Sequence, residues 1–293
     1  MTALARSPVF ELTRGDGPLV VSMPHCGTEL APGLAERLTP EARTLCDTDW
    51  HIPRLYGFAG GLGATLLSAR FSRFVVDLNR PPGGESLYPG QATTGLCPET
   101  LFDGRPLYRD GTAPDAAETA ERVETYWRPY HDALAAELER VKARHGFAIL
   151  YDAHSIRSRV PRLFEGRLPD LNLGTARGAS AAPDLIARTV AVMESASARE
   201  GLSCVADGRF VGGHITRHYG RPAENIHALQ MELTQDRYMN EEDEDGQGDG
   251  QGDDQGGSAG HGPAFAYRPD RAERLQRVLV PLLETLAGWR PAT

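Results

Sequence analysis

The stretch "FAILYDAHSIRSR", Phe147 to Arg159, decides how the chain folds. It opens as an unbroken apolar run of strand length and then turns polar through Asp152, His154, Arg157 and Arg159. A strand buried on both faces reads as such a run rather than as an alternation. The runs "PLVVSMP" (18–24), "ATLLSA" (64–69), "RFVVDL" (73–78) and "IHALQMEL" (226–233) read the same way. Helical patterns lie between them. Thr39 offers an N-cap with Pro40 at the first helical position, and "WHIPRLYGFAGGLG" ends on glycines as a helix C-terminus prefers. The charged, periodic segment from about Asp115 to Arg144 is stopped by Gly146. "APDLIARTVAVMESASAREG" is amphipathic and ends at Gly201, and "RPDRAERLQRVLVPLLETLAG" forms a last helix. Strands alternating with helices predict an α/β fold, a three-layer sandwich around a mixed, largely parallel sheet.

A chain of 293 residues, 40% hydrophobic and 24% charged, buries a sizeable core without disulfides or structural metal. The four cysteines are scattered with no CxxC pair, which suits a reduced, cytosolic protein. No apolar run approaches the ~18 residues of a membrane span, and the N-terminus lacks a signal-peptide core, so the cytoplasm is the expected location. The net charge of −9 is concentrated in one tract. Residues 240–262, "NEEDEDGQGDGQGDDQGGSAGHG", hold eight acids and no lysine or arginine, and setting those acids aside leaves −1. The rest of the chain is therefore nearly neutral and offers no broad basic surface for nucleic acid. The tract is low-complexity, reads as a solvated, disordered loop, and lacks the ligand spacing of an EF-hand. No internal repeat is visible, so residues 1–293 read as one domain decorated by that loop. The sequence leaves the oligomeric state open, a homo-oligomer included.

Ligands in such folds gather at the carboxyl ends of the strands. Four runs deliver polar residues there: His25, then Asp77, Asn79 and Arg80, then Asp152 and His154, then Glu232 within "IHALQMEL". A catalytic zinc site needs three protein ligands, drawn from imidazole and carboxylate, and an open position. His25 and His154 are the natural nitrogen ligands, and "CDTDWH" offers Asp47 and Asp49 as the carboxylate. Nitrogen and oxygen donors together favour zinc over the all-oxygen sites of magnesium or calcium. Glu232, between Met231 and Leu233, is costly to bury as an anion, and burial suits it to proton transfer. Its alternative role is a buried ion pair with an arginine. Arg80 presents a guanidinium fork that matches a carboxylate, and Pro81 and Pro82 fix its exit direction. "GGHITRHYGRP" (212–222) adds His214 and Arg217 on a loop suited to an anionic ligand. There is no GxSxG elbow, no GxGxxG and no GxxxxGK[ST], so serine hydrolase and nucleotide chemistries are not indicated.

The blocks "VVSMPHCGTELAP", "DTDWHIPRLYGFA", "FSRFVVDLNRPPGGESLYPGQATTGLCPETLFDGRPLY", "YWRPYHDAL", "LYDAHSIRSRVPRLFEGRLPDLNLGT", "GRFVGGHITRHYGRP" and "IHALQMELTQDRYM" run in order from about residue 18 to 239. In them the chain resembles the N-formylglutamate deformylases, also called N-formylglutamate amidohydrolases, of histidine degradation. The resemblance implies a zinc-carboxypeptidase-like fold and a metal-dependent cleavage of N-formyl-L-glutamate to formate and L-glutamate. It implies His25, Asp47 and His154 as zinc ligands, with Asp47 preferred over Asp49, and Glu232 as general base. Asn79 and Arg80 look like the substrate-carboxylate pair of related enzymes. Arg157 or Arg159 is then expected at the oxyanion, and Arg217 with His214 near a substrate carboxylate. The acidic tract departs from the family pattern. Two other readings remain: a related zinc hydrolase of another N-acylated amino acid or peptide, and a non-catalytic protein whose acidic loop recruits a basic partner.

Overall fold

The structure is a computed structural model, and it describes residues 8–85, 93–241 and 264–291. Seven strands form one sheet among the described residues: β1 (Phe10–Thr13), β2 (Leu19–Met23), β3 (Thr65–Ala69), β4 (Ala148–Ile156), β5 (Leu171–Gly174), β6 (Cys204–Ala206) and β7 (Ile226–Thr234). Their order is β1-β3-β2-β4-β7-β5-β6. The central strands β3, β2, β4 and β7 are mutually parallel, while β1 on β3 and β5 on β7 run antiparallel. The sheet is therefore mixed and largely parallel, as the sequence predicts.

Side-chain parity sorts the two faces, because successive residues of a strand point to opposite sides. Leu19, Val21, Ile149, Tyr151, Leu229, Met231 and Leu233 face one layer, packed with leucines of α7 (Pro269–Gly288) and with Leu185 and Met193 of α5 (Pro183–Glu200). Val20, Ala148, Leu150, Ile226 and Ala228 face the other, packed against Tyr130, Leu134, Leu138 and Val141 of α4 (Arg128–His145). Helices cover both faces, which makes the three layers.

The long helical segment is continuous from α3 (Ala116–Arg122) through a π-helical turn, Val123–Trp127, into α4. Asp115 caps its start by accepting the Glu118 amide at 2.8 Å, and Gly146, at φ 80°, ends it in the left-handed region a side chain would resist. The shorter helices α1 (Leu34–Arg37), α2 (Ile52–Leu55) and α6 (His214–Tyr219) sit in the connections.

One run departs from expectation. Residues 73–78, "RFVVDL", form turns rather than a strand, and the helical reading after Thr39 shortens to a 3₁₀ turn at Ala42–Thr44. Phe74, Val75 and Val76 are buried, so the run is apolar because it packs, without pairing in the sheet. Most of the acidic tract, from residue 242, lies outside the described residues. Its near flank is anchored: Glu241 accepts from the Ser158 amide at 2.6 Å and the Ser158 hydroxyl at 2.8 Å. The two flanks also meet, with the Asn240 amide donating to Ala266 O at 2.9 Å and a bridge between Met239 and Tyr267.

Candidate metal-dependent hydrolase site

The face of the sheet that carries α4 changes character along each strand. In β4 the residues on that face run Ala148, Leu150, then Asp152, His154; in β7 they run Ile226, Ala228, then Gln230, Glu232. The apolar half lies under α4, and the polar half extends past it toward the carboxyl ends. Parallel pairing aligns the two strands residue for residue and sets His154 directly beside Glu232.

His25 follows the end of β2. The backbone there passes so close to Phe71 that a Cβ on Gly27 would lie 2.3 Å from the Phe71 carbonyl oxygen, which explains the glycine. The turn after Cys46 is tied to the same point, because the Asp49 amide donates to His25 O at 3.0 Å. Three buried side chains result: His25, Asp49 and His154, whose facing donor atoms all lie within 4.8 Å of one another. Asp49 Oδ2 sits 3.2 Å from His154 Nδ1 and 3.8 Å from His25 Nδ1.

Each imidazole is held from behind by a carboxylate. His25 Nε2 donates to Asp77 Oδ1 at 2.7 Å, and His154 Nε2 donates to Asp152 Oδ2 at 2.8 Å. Placing the proton on Nε2 turns the Nδ1 lone pair of both rings toward Asp49, the arrangement that orients histidine ligands in metal sites. Asp49 Oδ1 is buried with no hydrogen-bond partner among the described residues, a costly state for a carboxylate oxygen. Two inward ring nitrogens and an unsatisfied anionic oxygen fit a divalent cation, and the mixed nitrogen and oxygen donor set suits zinc.

Asp49, rather than the expected Asp47, is the aspartate set beside the two histidines. Asp47 points away from the histidines: its Oδ2 accepts the Phe102 amide at 2.8 Å and its Oδ1 lies 3.5 Å from Arg157 Nη2. Arg157 is thereby buried against Asp47 and is not among the residues lining the cleft. Arg159 is exposed. Arg217 donates through Nε to Gly212 O at 2.9 Å and lines a separate depression with Arg177 and Ser180. His214 is buried between Trp127 and His218, and its amide donates to Asn79 O at 3.3 Å. None of these side chains lines the cleft.

The cleft is lined by His25, His154, Glu232, Gln230 and Asn79, by Arg73, Arg80 and Arg209, and by an apolar wall that includes Phe102, Ile156, Leu163 and Phe210. Arg73 and Arg209 line the cleft, and the sequence reading gave neither a role. Arg73 Nη2 donates to Asp77 Oδ2 at 2.7 Å and its Nη1 lies 3.3 Å from His25 Nδ1. The available signal for Arg73 was an arginine four residues before an aspartate in an otherwise apolar run. Asn79 is buried and serves as a hub: Nδ2 reaches Asp152 Oδ2 at 3.3 Å, and Oδ1 accepts the Ile215 amide at 2.8 Å. A Cβ on Gly213 would stand 2.4 Å from Asn79 Nδ2, so glycine is needed where α6 meets this hub. Arg80 is steered by Thr94 O at 2.9 Å and Thr94 Oγ1 at 3.2 Å. Beneath that segment, Trp127 and His131 stack at 3.6 Å; Trp127 Nε1 donates to Arg80 O at 3.0 Å and His131 Nε2 to Leu78 O at 2.8 Å. Burial pushes the His131 imidazole down to about 3, so it is neutral with its proton on Nε2.

Electrostatics divide the site. Desolvation pushes the Glu232 carboxyl up to about 8, against the attraction of His154. Desolvation and the neighbouring Arg73 hold His25 below its ordinary value. His154 is disfavoured as a cation by burial, yet Asp152 and Asp49 outweigh that and hold it well above its ordinary value. Asp77, despite burial, is kept well below the usual carboxylate range by His25, Arg73 and Arg80.

Comparison with known proteins identifies the family. The profile of the family described as N-formylglutamate amidohydrolase matches residues 17–239. The chain belongs to that family. An N-formylglutamate deformylase of Pseudomonas aeruginosa is 53% identical over 281 residues, 96% of this chain and 97% of the relative. One from Pseudomonas putida is 48% identical over 281 residues, 96% of each chain. Among solved structures, that of N-formylglutamate amidohydrolase from Ralstonia eutropha JMP134 matches with a TM-score of 0.73 at 25% identity, covering 96% of this chain and 97% of that one. His25, Asp49, Arg73, Asn79, His154, Arg209 and Glu232 all fall inside the region that the family profile matches.

Proposed function

We propose that the protein hydrolyses N-formyl-L-glutamate to formate and L-glutamate, with zinc held by His25, Asp49 and His154. The observation that carries the reading is the convergence of two carboxylate-backed histidines on one unsatisfied buried carboxylate, beside Glu232, in a member of this family. Zinc at such a site supplies a Lewis acid that polarises the formyl carbonyl and makes water easier to deprotonate.

The chain's own residues do the rest. Glu232 accepts a proton from the attacking water as the new C–O bond forms at the formyl carbon. It returns that proton to the amide nitrogen as the C–N bond breaks, so a neutral amine and formic acid separate, and the acid's proton passes to the amine to leave formate and the ammonium form of L-glutamate. A carboxyl raised by burial is matched to this exchange near neutral pH. Arg73, beside His25, is the guanidinium placed where charge develops on the formyl oxygen, the role first expected of Arg157 or Arg159. Arg80 receives a substrate carboxylate, with Asn79 bracing its segment from below.

The test is formate release from N-formyl-L-glutamate before and after chelation, with metal content measured on the same samples. Activity that disappears with the chelator and returns on adding zinc supports the reading. Full activity in metal-free protein would overturn it, and faster turnover of N-acetyl-L-glutamate would overturn the choice of substrate.

A further inference from the structure

N-Formylglutamate carries two carboxylates, one beside the scissile amide and one at the end of two methylenes. Burying either without a cationic partner is costly, so a site for this molecule needs two cations besides the group that meets the formyl oxygen. Among the described residues three guanidiniums line the cleft: Arg73, Arg80 and Arg209. Arg73 is 6% exposed, paired with Asp77 at 2.7 Å and in contact with His25, which puts it at the end where bonds change. Arg80 belongs to the Asn79–Thr94 side of the cleft, to which three of its hydrogen bonds bind it.

Arg209 comes from a different segment of the chain. It lies on the segment between β6 and α6, and its Nε donates to Leu163 O at 2.7 Å, which fixes the direction of the guanidinium. Leu163 and Phe210 are packed with Phe102 and Ile156 in one apolar cluster, and all four line the cleft. That wall suits a short run of methylenes; Arg73 lies over its Phe102 ring at 4.5 Å and Arg209 over its Phe210 ring at 5.3 Å, so a cation stands at each of these aromatic residues. A planar fork whose direction is set by a backbone carbonyl is pre-organised for a carboxylate, because less side-chain freedom is lost on pairing.

We propose that Arg209 is the specificity-determining residue that recognises the side-chain carboxylate, and that it selects dicarboxylic over neutral N-formyl amino acids. This rests on the functional reading above and deepens it. Neither Arg217 nor Arg159 takes this role, because neither lines the cleft.

The experiment compares wild type, Arg209→Met and Arg209→Lys in the metal-loaded protein. It measures kcat and KM for N-formyl-L-glutamate and N-formyl-L-glutamine, and calorimetric binding of glutarate and butyrate. Removing a charge-assisted pair lowers kcat/KM for N-formyl-L-glutamate by roughly 10- to 150-fold, mainly through KM. Turnover of N-formyl-L-glutamine stays within a few-fold, and Arg209→Lys recovers part of the loss. An equal fall on both substrates, or no fall on N-formyl-L-glutamate, overturns the assignment. Binding separates the two claims. A wild type that binds glutarate through Arg209 but releases no formate refutes the reaction and leaves the subsite standing. Equal glutarate binding by wild type and Arg209→Met refutes the subsite.

Discussion

Replacing Glu232 with glutamine keeps the shape of the side chain and removes its ability to hold a proton reversibly. The change disturbs little else, because the hydrogen bond to Glu232 among the described residues is a long one, from Gln230 Nε2 at 3.4 Å. A positioned general base contributes about 10²- to 10⁴-fold, equivalent to ~3–5 kcal/mol of barrier. Formate release by Glu232→Gln should therefore fall at least about 100-fold in kcat, while metal content stays at the wild-type ratio. Stability gives an independent readout in chelated protein. Burial raises this carboxyl from 4.5 to about 8, so its favourable contribution is present at low pH and is lost as pH climbs through that value. The ceiling on that loss is about 5 kcal/mol. Glutamine never ionises, so the variant's melting temperature should gain on wild type from pH 5 to pH 9. Loss of metal together with activity would refute the assignment, because it would make Glu232 a ligand. Activity within a few-fold of wild type would refute it as the base.

Asp49→Asn should lower metal affinity by more than the ~10–100-fold typical of outer partners, whereas Asp47→Asn should leave metal content unchanged; metal analysis of both decides between the two aspartates. Gly213→Ala forces a methyl group onto Asn79, whose Nδ2 would lie 2.4 Å away, so KM for N-formyl-L-glutamate should rise with metal content unaltered. Trp127→Phe orphans the Arg80 carbonyl and should cost ~1–3 kcal/mol in urea unfolding, with KM rising more than kcat falls. Replacing residues 242–263 with a short Gly-Ser linker should leave kcat and KM unchanged, since the cleft residues described all come from elsewhere in the chain.

The central strands were legible because burial on both faces leaves a largely apolar run, as in β2, β4 and β7, while β3 alternates buried and half-buried residues around a shorter one. The same rule misread 73–78, since apolarity reports burial, and a buried turn between charged residues looks like a strand. His25, His154 and Glu232 could be found because each interrupts or ends such a run. Asp47 and Asp49 could not be told apart on that basis. They lie two residues apart in a turn, and only the backbone path, fixed by the Asp49 amide on His25 O, decides which carboxylate turns inward. Arg73 was hidden by the strand reading, which treated it as a boundary residue. The loop arginines misled for a different reason: charge on a loop shows solvation more readily than it shows direction.

The alignment of His154 with Glu232 has a consequence for how such an enzyme can diverge. The two residues are joined by a nine-residue ladder between β4 and β7, and their spacing does not depend on the long connection between those strands. Insertions and deletions there can accumulate freely as far as this pair is concerned. A single residue gained within either strand is another matter. It would turn His154 or Glu232 through to the opposite face, into the layer of α5 and α7, and the protein would keep much of its core while losing its chemistry.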